Sequence, residues 1–329
     1  MLLLVAFGIG LLSWTQLAEK PLGGRADTAA STDAQASIRT AGQLRQAGKL
    51  GEALNVLEEL PVTSVPAQLQ NRRRLEIAQC YFELGKIHSA TKLLSEIQRD
   101  QLNTSEANVA DFLQAELALR SRDLAQAESA LSQLEKKMTS GPLPTWAPTV
   151  QLRRTELLLA KQEPEKAFNV AQDSWRQFPD FQKRYEFVYV MARAEIAAAR
   201  FTQARLHLKS VIDDPHAVTN SAAARAQWLL GETYFLQENL PAAIIEYEKV
   251  AHLGQYPTWI SMAELQRAKC LEKLDRLQLA KQEYEAIVRK YPNTEAGIEA
   301  SQRLYILGNL ASRAPSNSSD AVGFKIGHD

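Results

Sequence analysis

The chain has 329 residues, of which 45% are hydrophobic and 23% are charged, an ordinary balance for a folded globular protein. Its 38 basic residues are offset by 38 acidic residues, so the molecule as a whole has no net charge that would attract nucleic acid or an anionic membrane. The two cysteines, Cys80 and Cys270, are too far apart in sequence for a zinc or redox motif, and we expect each to be a buried free thiol.

The N-terminal segment is strongly apolar, with twelve residues from Met1 to Leu12 that carry no polar side chain. This length suits the core of a signal peptide and falls short of the roughly 20 residues of a membrane span. No Lys or Arg precedes it, although such segments normally have a basic leader, which leaves open a start codon further upstream. We interpret residues 1–18 as a hydrophobic anchor or signal segment, favouring an uncleaved anchor. A buried first helix is the weaker alternative because the segment has no polar face.

Residues 19–35 contain proline, glycine and many small polar residues, a composition typical of a flexible linker. From residue 36 to residue 310, apolar residues recur at three- and four-residue spacing and no stretch alternates with a period of two. This region is therefore predicted to be all-α. The remaining residues, 311–329, are rich in serine and are predicted to be a disordered tail.

The helical region repeats itself about every 37 residues. An alanine marks the second half of each repeat, at Ala53, Ala90, Ala127, Ala167, Ala204, Ala243 and Ala280. Twelve residues before each stands another small residue, at Ala41, Ala78, Ala115, Thr155, Ala192, Gly231 and Ala268. Four residues after each alanine comes a larger residue in all repeats but one, as at Leu57, Leu94 and Tyr247.

This spacing has a physical reason. Two antiparallel helices cross closely only where the side chains at the crossing are small. The residue four positions later lies one turn on, on the same helical face, and can fill the remaining groove. Each hairpin still exposes an apolar side, which the next hairpin covers. The sequence therefore predicts an α-solenoid of about seven helical hairpins.

These positions resemble the tetratricopeptide repeat (TPR). The sixth hairpin shows the pattern best, with Trp228, Leu230, Gly231 and Tyr234 in its first helix. The fifth departs from it, because Glu195 stands where the pattern has an aromatic residue. The predicted hairpins lie near residues 36–61, 72–99, 108–137, 149–179, 186–214, 224–254 and 261–292, followed by a capping helix at 294–307.

One departure from the period is the segment Met138 to Thr149, which holds three prolines, a glycine and Trp146. We expect a rigid surface loop there. The segment from Tyr291 to Ala296 resembles the end of bacterial periplasmic TPR proteins, such as the Tol–Pal-associated division coordinator and the lipoprotein of the outer-membrane barrel assembly machine. That resemblance implies a bacterial cell envelope or periplasmic location.

No catalytic, cofactor or metal motif is present in the sequence. There is no phosphate-binding glycine-rich loop, no nucleophile elbow and no pair of histidines at metal-ligand spacing. We therefore expect a protein that is not an enzyme, needs no cofactor and takes no small-molecule substrate.

In TPR arrays the first helix of each pair lines a concave groove, and the resemblance places three positions in it: three before, one after and four after the small residue. In the fifth hairpin these are Tyr189, Arg193 and Ile196, in the sixth Trp228, Glu232 and Phe235, and in the seventh Leu265, Lys269 and Glu272. Aromatic and charged residues together suit a peptide or helix laid in a groove. The candidate partner-binding residues are Tyr189, Arg193, Trp228, Glu232, Phe235 and Lys269. The alternative for each is packing between repeats.

A second aromatic cluster spans the turn between the fourth and fifth hairpins. It consists of Trp175, Phe178, Phe181, Tyr185, Phe187 and Tyr189. Packing between repeats is the favoured interpretation, and a protein-docking patch is the alternative.

Three functions fit the sequence. The first is a non-catalytic protein-interaction scaffold, tethered to a membrane by its N-terminal segment, that binds a partner peptide or helix. The second is a periplasmic assembly, cell-wall or cell-division accessory factor. The third is a non-catalytic subunit of an enzyme complex. In each case the expected partner is another protein, not nucleic acid.

Overall fold

The structure is a computed structural model that describes residues 29–61, 65–139 and 143–313. All regular structure in these ranges is helical. The α-helices are α1 (Ala29–Gln46), α2 (Leu50–Glu58), α3 (Ala67–Glu83), α4 (Ile87–Ser95), α5 (Thr104–Ser121), α6 (Leu124–Met138), α7 (Ala147–Ala160), α8 (Pro164–Gln177), α9 (Tyr185–Ala197), α10 (Phe201–Ile212), α11 (Ala222–Phe235), α12 (Leu240–Glu248), α13 (Pro257–Lys273), α14 (Leu277–Lys290) and α15 (Glu295–Arg313). The predicted all-α fold is confirmed.

The chain divides into two compact units, one ending at Ala198 and one beginning at Ala199. The first unit contains α1 to α9, in which α1 packs on α2, α3 on α4, α5 on α6 and α7 on α8. The second contains α10 to α15, in which α11 packs on α12, α13 on α14, and α15 on α13 and α14. In chain order the helices give the seven predicted pairs followed by a final helix.

The small residues that define the repeat are buried, as the packing argument requires. All seven alanines of the second helices are fully buried, from Ala53 to Ala280. Their first-helix counterparts, from Ala41 to Ala268, are buried as well. The residues four positions after the alanines, such as Leu57 and Tyr284, fill the core beside them. The small-residue period therefore marks the helix-packing positions.

A second feature follows the same period, and the sequence shows it only in part. One residue with a positive φ angle stands in the turn between the two helices of every pair. These residues are Gly48, Gly85, Arg122, Gln162, Ala199, Glu238 and Asp275. Glycine adopts this conformation freely, but the other five residues are held there against a steric cost. The turn conformation therefore does not require glycine at this position.

The boundaries at the two ends differ from those predicted. Helix α1 begins at Ala29, so residues 29–35 are helical where a linker was expected, and Ala34 is buried. The alanines of this segment favour helix and outweigh the serine and threonine that suggested a linker. Helix α15 continues to Arg313, three residues into the predicted tail. The remaining parts of the anchor, linker and tail predictions, residues 1–28 and 314–329, lie outside the described residues.

The segment expected as a surface loop from Met138 to Thr149 is shorter than predicted. Helix α6 runs to Met138 and helix α7 already begins at Ala147. Pro148 lies in the first turn of α7, where a missing backbone N–H costs nothing. Trp146 is buried in the core of the first unit, so the prediction that this residue lies in a surface loop was wrong.

Among the described helices, none combines the length and the hydrophobicity that crossing a bilayer would require.

Candidate functional site

The predicted groove positions fall into two classes. The position three residues before the small residue is buried in every pair, at Ile38, Leu75, Phe112, Leu152, Tyr189, Trp228 and Leu265. Tyr189 is 8% exposed and Trp228 is 5% exposed, so neither offers much surface to a partner. The ring of Trp228 instead packs against Trp259 of α13, with 5.9 Å between ring centroids. This position forms the floor of the array, in agreement with the packing alternative.

In the first unit, arginine side chains contact Phe82 and Glu83 of α3 and Glu116 of α5. The guanidinium of Arg120 lies 4.1 Å from the ring centroid of Phe82, an arrangement that favours a cation–π interaction. Nη1 of Arg45 donates a hydrogen bond of 2.8 Å to Oε1 of Glu83. Arg153, fully buried, donates from Nε to Glu116, which is also buried. Phe82 and Glu116 are therefore buried beneath their neighbours.

Arg193, the candidate on α9, is partly exposed. Its Nη1 lies 4.0 Å from Oε1 of Glu156 on α7, and its guanidinium lies 6.0 Å from the ring centroid of Tyr189. It is thus a surface residue whose charge is partly balanced by its neighbour in the same unit.

In the second unit, the remaining groove residues of α11 and α13 are all partly buried: Glu232, Phe235, Lys269 and Glu272. We call these four residues the inner face of the second unit. Helices α11 and α13 pack on each other, and Glu232 and Lys269 occupy equivalent positions on them, 37 residues apart. The inner face thus brings together three of the six candidates, Glu232, Phe235 and Lys269.

Each charge on the inner face already has a partner within the second unit. The hydroxyl of Tyr247 donates a hydrogen bond of 2.6 Å to Oε1 of Glu232. Nζ of Lys269 lies 2.5 Å from Oε1 of Glu299 on α15. Nζ of Lys273 lies 5.6 Å from the ring centroid of Phe235. The inner face is therefore polar and fixed by its own contacts, with two carboxylates, one ammonium group and one aromatic ring.

Burial raises the pKa of Glu232 to about 7, while the Tyr247 hydroxyl and the nearby Lys269 ammonium act in the opposite direction. Burial, together with the Glu232 carboxylate, raises the pKa of Tyr247, so its hydroxyl remains a donor at all ordinary pH values. Burial also raises the pKa of the neighbouring Cys270 thiol to about 12, which keeps this buried thiol protonated and unreactive.

Sequence reasoning did not find a second tyrosine–glutamate pair beside the first. The hydroxyl of Tyr284 donates a hydrogen bond of 2.8 Å to Oε2 of Glu272, and Nε of Arg303 on α15 donates to the same oxygen at 3.1 Å. The sequence feature that could have indicated these pairs is a tyrosine four residues after the alanine of the second helix. The last two pairs have tyrosine there, whereas most other pairs have leucine. A tyrosine there reaches through the core with its ring and places its hydroxyl at the inner face.

The aromatic cluster at the turn between α8 and α9 packs within the first unit. The ring of Phe187 lies 6.5 Å from that of Phe178 and 5.9 Å from that of Phe181, measured between centroids. The guanidinium of Arg184 covers the ring of Trp175 at 3.8 Å and donates from Nε to the Trp175 carbonyl oxygen. This arrangement agrees with the packing interpretation.

In the described ranges, no group of three or more His, Cys, Asp or Glu side chains could hold a metal ion. The side chains of the inner face of the second unit can offer hydrogen bonds, charge pairs and contact with an aromatic ring.

Models of the family described as "Tetratricopeptide repeat" match residues 189–258 and residues 262–294. The two stretches cover α9 to α14, which includes the inner face of the second unit. No curated protein sequence matches this chain.

Several solved structures resemble this chain over much of its length. The apo form of the quorum sensor NprR from B. thuringiensis has 11% sequence identity and a TM-score of 0.61, covering 88% of this chain and 84% of that one. A Rap protein complexed with competence and sporulation factor has 12% identity and a TM-score of 0.58, covering 86% and 89%. PilW, a widely conserved type IV pilus biogenesis factor, has 14% identity and a TM-score of 0.52, covering 70% and 98%.

At these identities the likenesses establish the fold and nothing further. Together with the family models, they confirm the resemblance drawn from the small-residue period. The chain therefore contains tetratricopeptide repeats, within residues 189–294.

Proposed function

We propose that the chain is a non-catalytic protein-interaction scaffold that binds a partner peptide or helix on the inner face of the second unit. The proposal rests on the difference in side-chain burial between the two classes of groove position. The floor residues Trp228 and Leu265 are buried, while Glu232, Phe235, Lys269 and Glu272 remain partly exposed above them.

The chemistry of the inner face favours a particular kind of partner. The two carboxylates and the one ammonium group can exchange their internal pairs for pairs with a guest, and Phe235 offers an apolar contact beside them. Because the whole chain has no net charge, long-range attraction contributes little, and recognition depends on matched polar and apolar contacts at short range. A mixed-charge segment with one aromatic or aliphatic anchor would satisfy these groups.

Two structural relatives support a peptide or protein ligand by analogy of fold. One solved structure is a Rap protein with competence and sporulation factor, and another is NprR in complex with its cognate peptide NprX. Those ligands belong to those proteins. The analogy supports a polypeptide partner for this chain without identifying it.

The test is site-specific photocrosslinking in cells that make the full chain. A photoreactive amino acid replaces Phe235, and in a matched control it replaces Ile245, which is exposed on α12 of the same unit. The proposal expects a discrete adduct with one protein from position 235, lost when Lys269→Glu is added, and no such adduct from position 245. Equal adducts from both positions, or an adduct that Lys269→Glu leaves unchanged, would contradict it.

We further propose that residues 1–18 tether the scaffold to a membrane and that the chain works in a bacterial cell envelope. The support is the run of twelve apolar residues at the N-terminus and the resemblance of the segment from Tyr291 to Ala296 to periplasmic TPR proteins. Cell fractionation tests the tether. We expect the full chain in the membrane fraction, whereas recovery at its unprocessed mass in the soluble fraction would contradict the proposal.

The alternatives are a periplasmic assembly or cell-wall accessory factor and a non-catalytic subunit of an enzyme complex. Identification of the protein trapped at position 235 separates them. A component of an envelope machine would favour the first alternative, and an enzyme that co-purifies in fixed stoichiometry would favour the second.

A further inference from the structure

Three charged residues of alternating sign stand on three neighbouring helices of the second unit. Glu232 lies on α11 and Lys269 at the equivalent position of α13, and the two charges interact electrostatically. Glu299 lies on α15, where its Oε1 is 2.5 Å from Nζ of Lys269. Helix α13 packs on both α11 and α15. We call these three residues the charged row, which crosses the helices in the order negative, positive, negative.

The charged row keeps capacity for further hydrogen bonds. The Tyr247 hydroxyl donates one bond to Glu232, and Lys269 and Glu299 share one ion pair. A carboxylate has about four acceptor positions and an ammonium group has three donors, so these contacts do not saturate the groups. The side chain of Glu299 is 44% exposed and that of Lys269 is 21% exposed. A guest can therefore add charge pairs to the row without breaking those within the unit.

Glu272, the remaining carboxylate of the inner face, is engaged more fully. Its Oε2 accepts from the Tyr284 hydroxyl at 2.8 Å and from Nε of Arg303 at 3.1 Å, and its Oε1 accepts from Nη2 of the same arginine. A two-point pair of this kind is stronger than a single hydrogen bond. Glu272 is thus costly to release, and the charged row is the more available part of this surface.

Resting on the function proposed above, we propose that the partner is an extended segment with charges at every third residue, in the order basic, acidic, basic. Its pattern is Lys-x-x-Glu-x-x-Lys, in which arginine and aspartate are equivalent. Packed helices lie about 8 to 10 Å apart, and three residues of extended chain span about 10 Å. Each step of three residues therefore carries the guest from one helix to the next, where it meets the opposite charge.

The partial burial of the charged row favours an extended guest over a helical one. A helix with its side chains is about 10 to 12 Å wide, whereas a strand occupies about 5 Å. The narrower chain can reach Glu232 and Lys269 between their neighbours. Phe235 follows Glu232 by one turn of α11, so it can contact an apolar side chain beside the first basic residue of the guest.

Fluorescence anisotropy of labelled peptides with the full chain tests the spacing. The assay is run at pH 8, above the pKa of about 7 to which burial raises Glu232, so that this carboxylate is ionised. The test peptide has the proposed pattern in an alanine and serine host, with one leucine after the first lysine. Two controls of the same composition carry the charges at every second and every seventh residue. We expect the controls to bind at least about fivefold more weakly.

A charge reversal in the protein tests the order of the charges. Lys269→Glu should bind a peptide with a lysine at the middle position more tightly than the test peptide, which inverts the preference of wild type. The matched control is Lys281→Glu, at an exposed position of α14, which should keep the wild-type preference. The circular dichroism spectrum checks that both variants are folded.

Three results would overturn the inference: equal binding of the peptides with third-residue and second-residue spacing, tighter binding of the peptide with seventh-residue spacing, which fits a helical guest, and an unchanged preference in Lys269→Glu. Absence of binding by every peptide would overturn it as well. The adduct from position 235 decides the proposed function separately, so a specific adduct with no preference for spacing leaves the inner face as a binding site and refutes only the pattern of charges.

Discussion

Gly231 of α11 lies directly against the ring of Tyr247 of α12: a β-carbon built on Gly231 would stand 2.5 Å from Cε1 of that ring. The tyrosine fills the groove beside the helix crossing, and the glycine makes room for it. The neighbouring Glu232 then receives the Tyr247 hydroxyl. This contact thus links the packing of α11 against α12 to the inner face of the second unit.

Gly231→Ala should destabilise the second unit, because the added methyl group forces the Tyr247 ring to move within a packed core. Overpacking of this kind costs about 1 to 3 kcal/mol, less the gain of up to about 1 kcal/mol from replacing a helical glycine. Urea unfolding followed by circular dichroism measures the change. The control is Gly51→Ala on α2, where nothing lies within 4 Å of the added carbon. Equal effects of the two substitutions would contradict the packing account.

Glu232 should make stability depend on pH. Its folded pKa of about 7 lies above the roughly 4.3 of an unfolded glutamate, so the folded chain binds more protons between these values. The resulting stabilisation is complete below pH 4 and is lost as the pH rises through 7. Glu232→Gln should remove this loss, so that the variant gains on the order of 1 kcal/mol relative to wild type between pH 5 and pH 8.

The matched control for this titration is Glu285→Gln on α14, where the glutamate is exposed. Its stability should follow that of wild type across the same pH range. A constant difference between Glu232→Gln and wild type from pH 5 to pH 8 would show that Glu232 does not titrate in this range.

The buried ion pair of Arg153 and Glu116 should be costly to break in the first unit. Nη1 of Arg153 also donates to Oε2 of Glu156 at 3.3 Å, so the guanidinium is held between α5 and its own helix. Arg153→Met leaves the Glu116 carboxylate buried without its partner, which should cost about 3 to 5 kcal/mol. The double variant Glu116→Leu/Arg153→Met should recover most of this loss in urea unfolding. A double variant no more stable than the single one would argue against a desolvated pair.

Substitution of a turn residue with positive φ by glycine should stabilise the protein. Arg122 has φ of 61°, and Arg122→Gly should relieve left-handed strain and stabilise the first unit by about 0.5 to 1 kcal/mol. Gly85 has φ of 74° in the corresponding turn, with nothing within 4 Å of an added carbon, so Gly85→Ala should destabilise by about 1 kcal/mol through the backbone alone. Thermal unfolding measures both, and shifts of the same sign would be inconsistent with a shared turn conformation.

The sequence was sufficient for the architecture because the small residues at helix crossings are a local pattern with a single physical cause. Ala53 and Ala280, chosen from spacing alone, are fully buried. The ends were harder to predict, since serine and threonine near Ala29 favour a linker by composition whereas the burial of Ala34 depends on tertiary packing. The turn conformation could be anticipated at Gly48 and Gly85 but not at Arg122, because arginine has no intrinsic preference for positive φ.

The candidate site was predicted less completely, because the exposure of its residues also depends on tertiary packing. Helical periodicity shows which side of α11 and α13 a residue occupies, but it cannot show how far each residue lies beneath its neighbours. Trp228 therefore looked like a partner-binding residue and lies in the packed floor, while Glu232 and Lys269 stand above it. The hydrogen bond between Tyr247 and Glu232 joins positions on two helices, and single-helix periodicity carries no information on such a pair.

The most direct test of binding at the inner face is the affinity of the full chain for the polypeptide trapped at position 235. Isothermal titration calorimetry measures this affinity. We expect Phe235→Ala and Lys269→Glu each to weaken binding about tenfold or more, as loss of a central anchor or charge pair does. Ile245→Ala on the exposed side of α12 should leave the affinity unchanged. Unchanged affinity in both inner-face variants, or a loss confined to Ile245→Ala, would contradict the claim that the inner face of the second unit binds the partner.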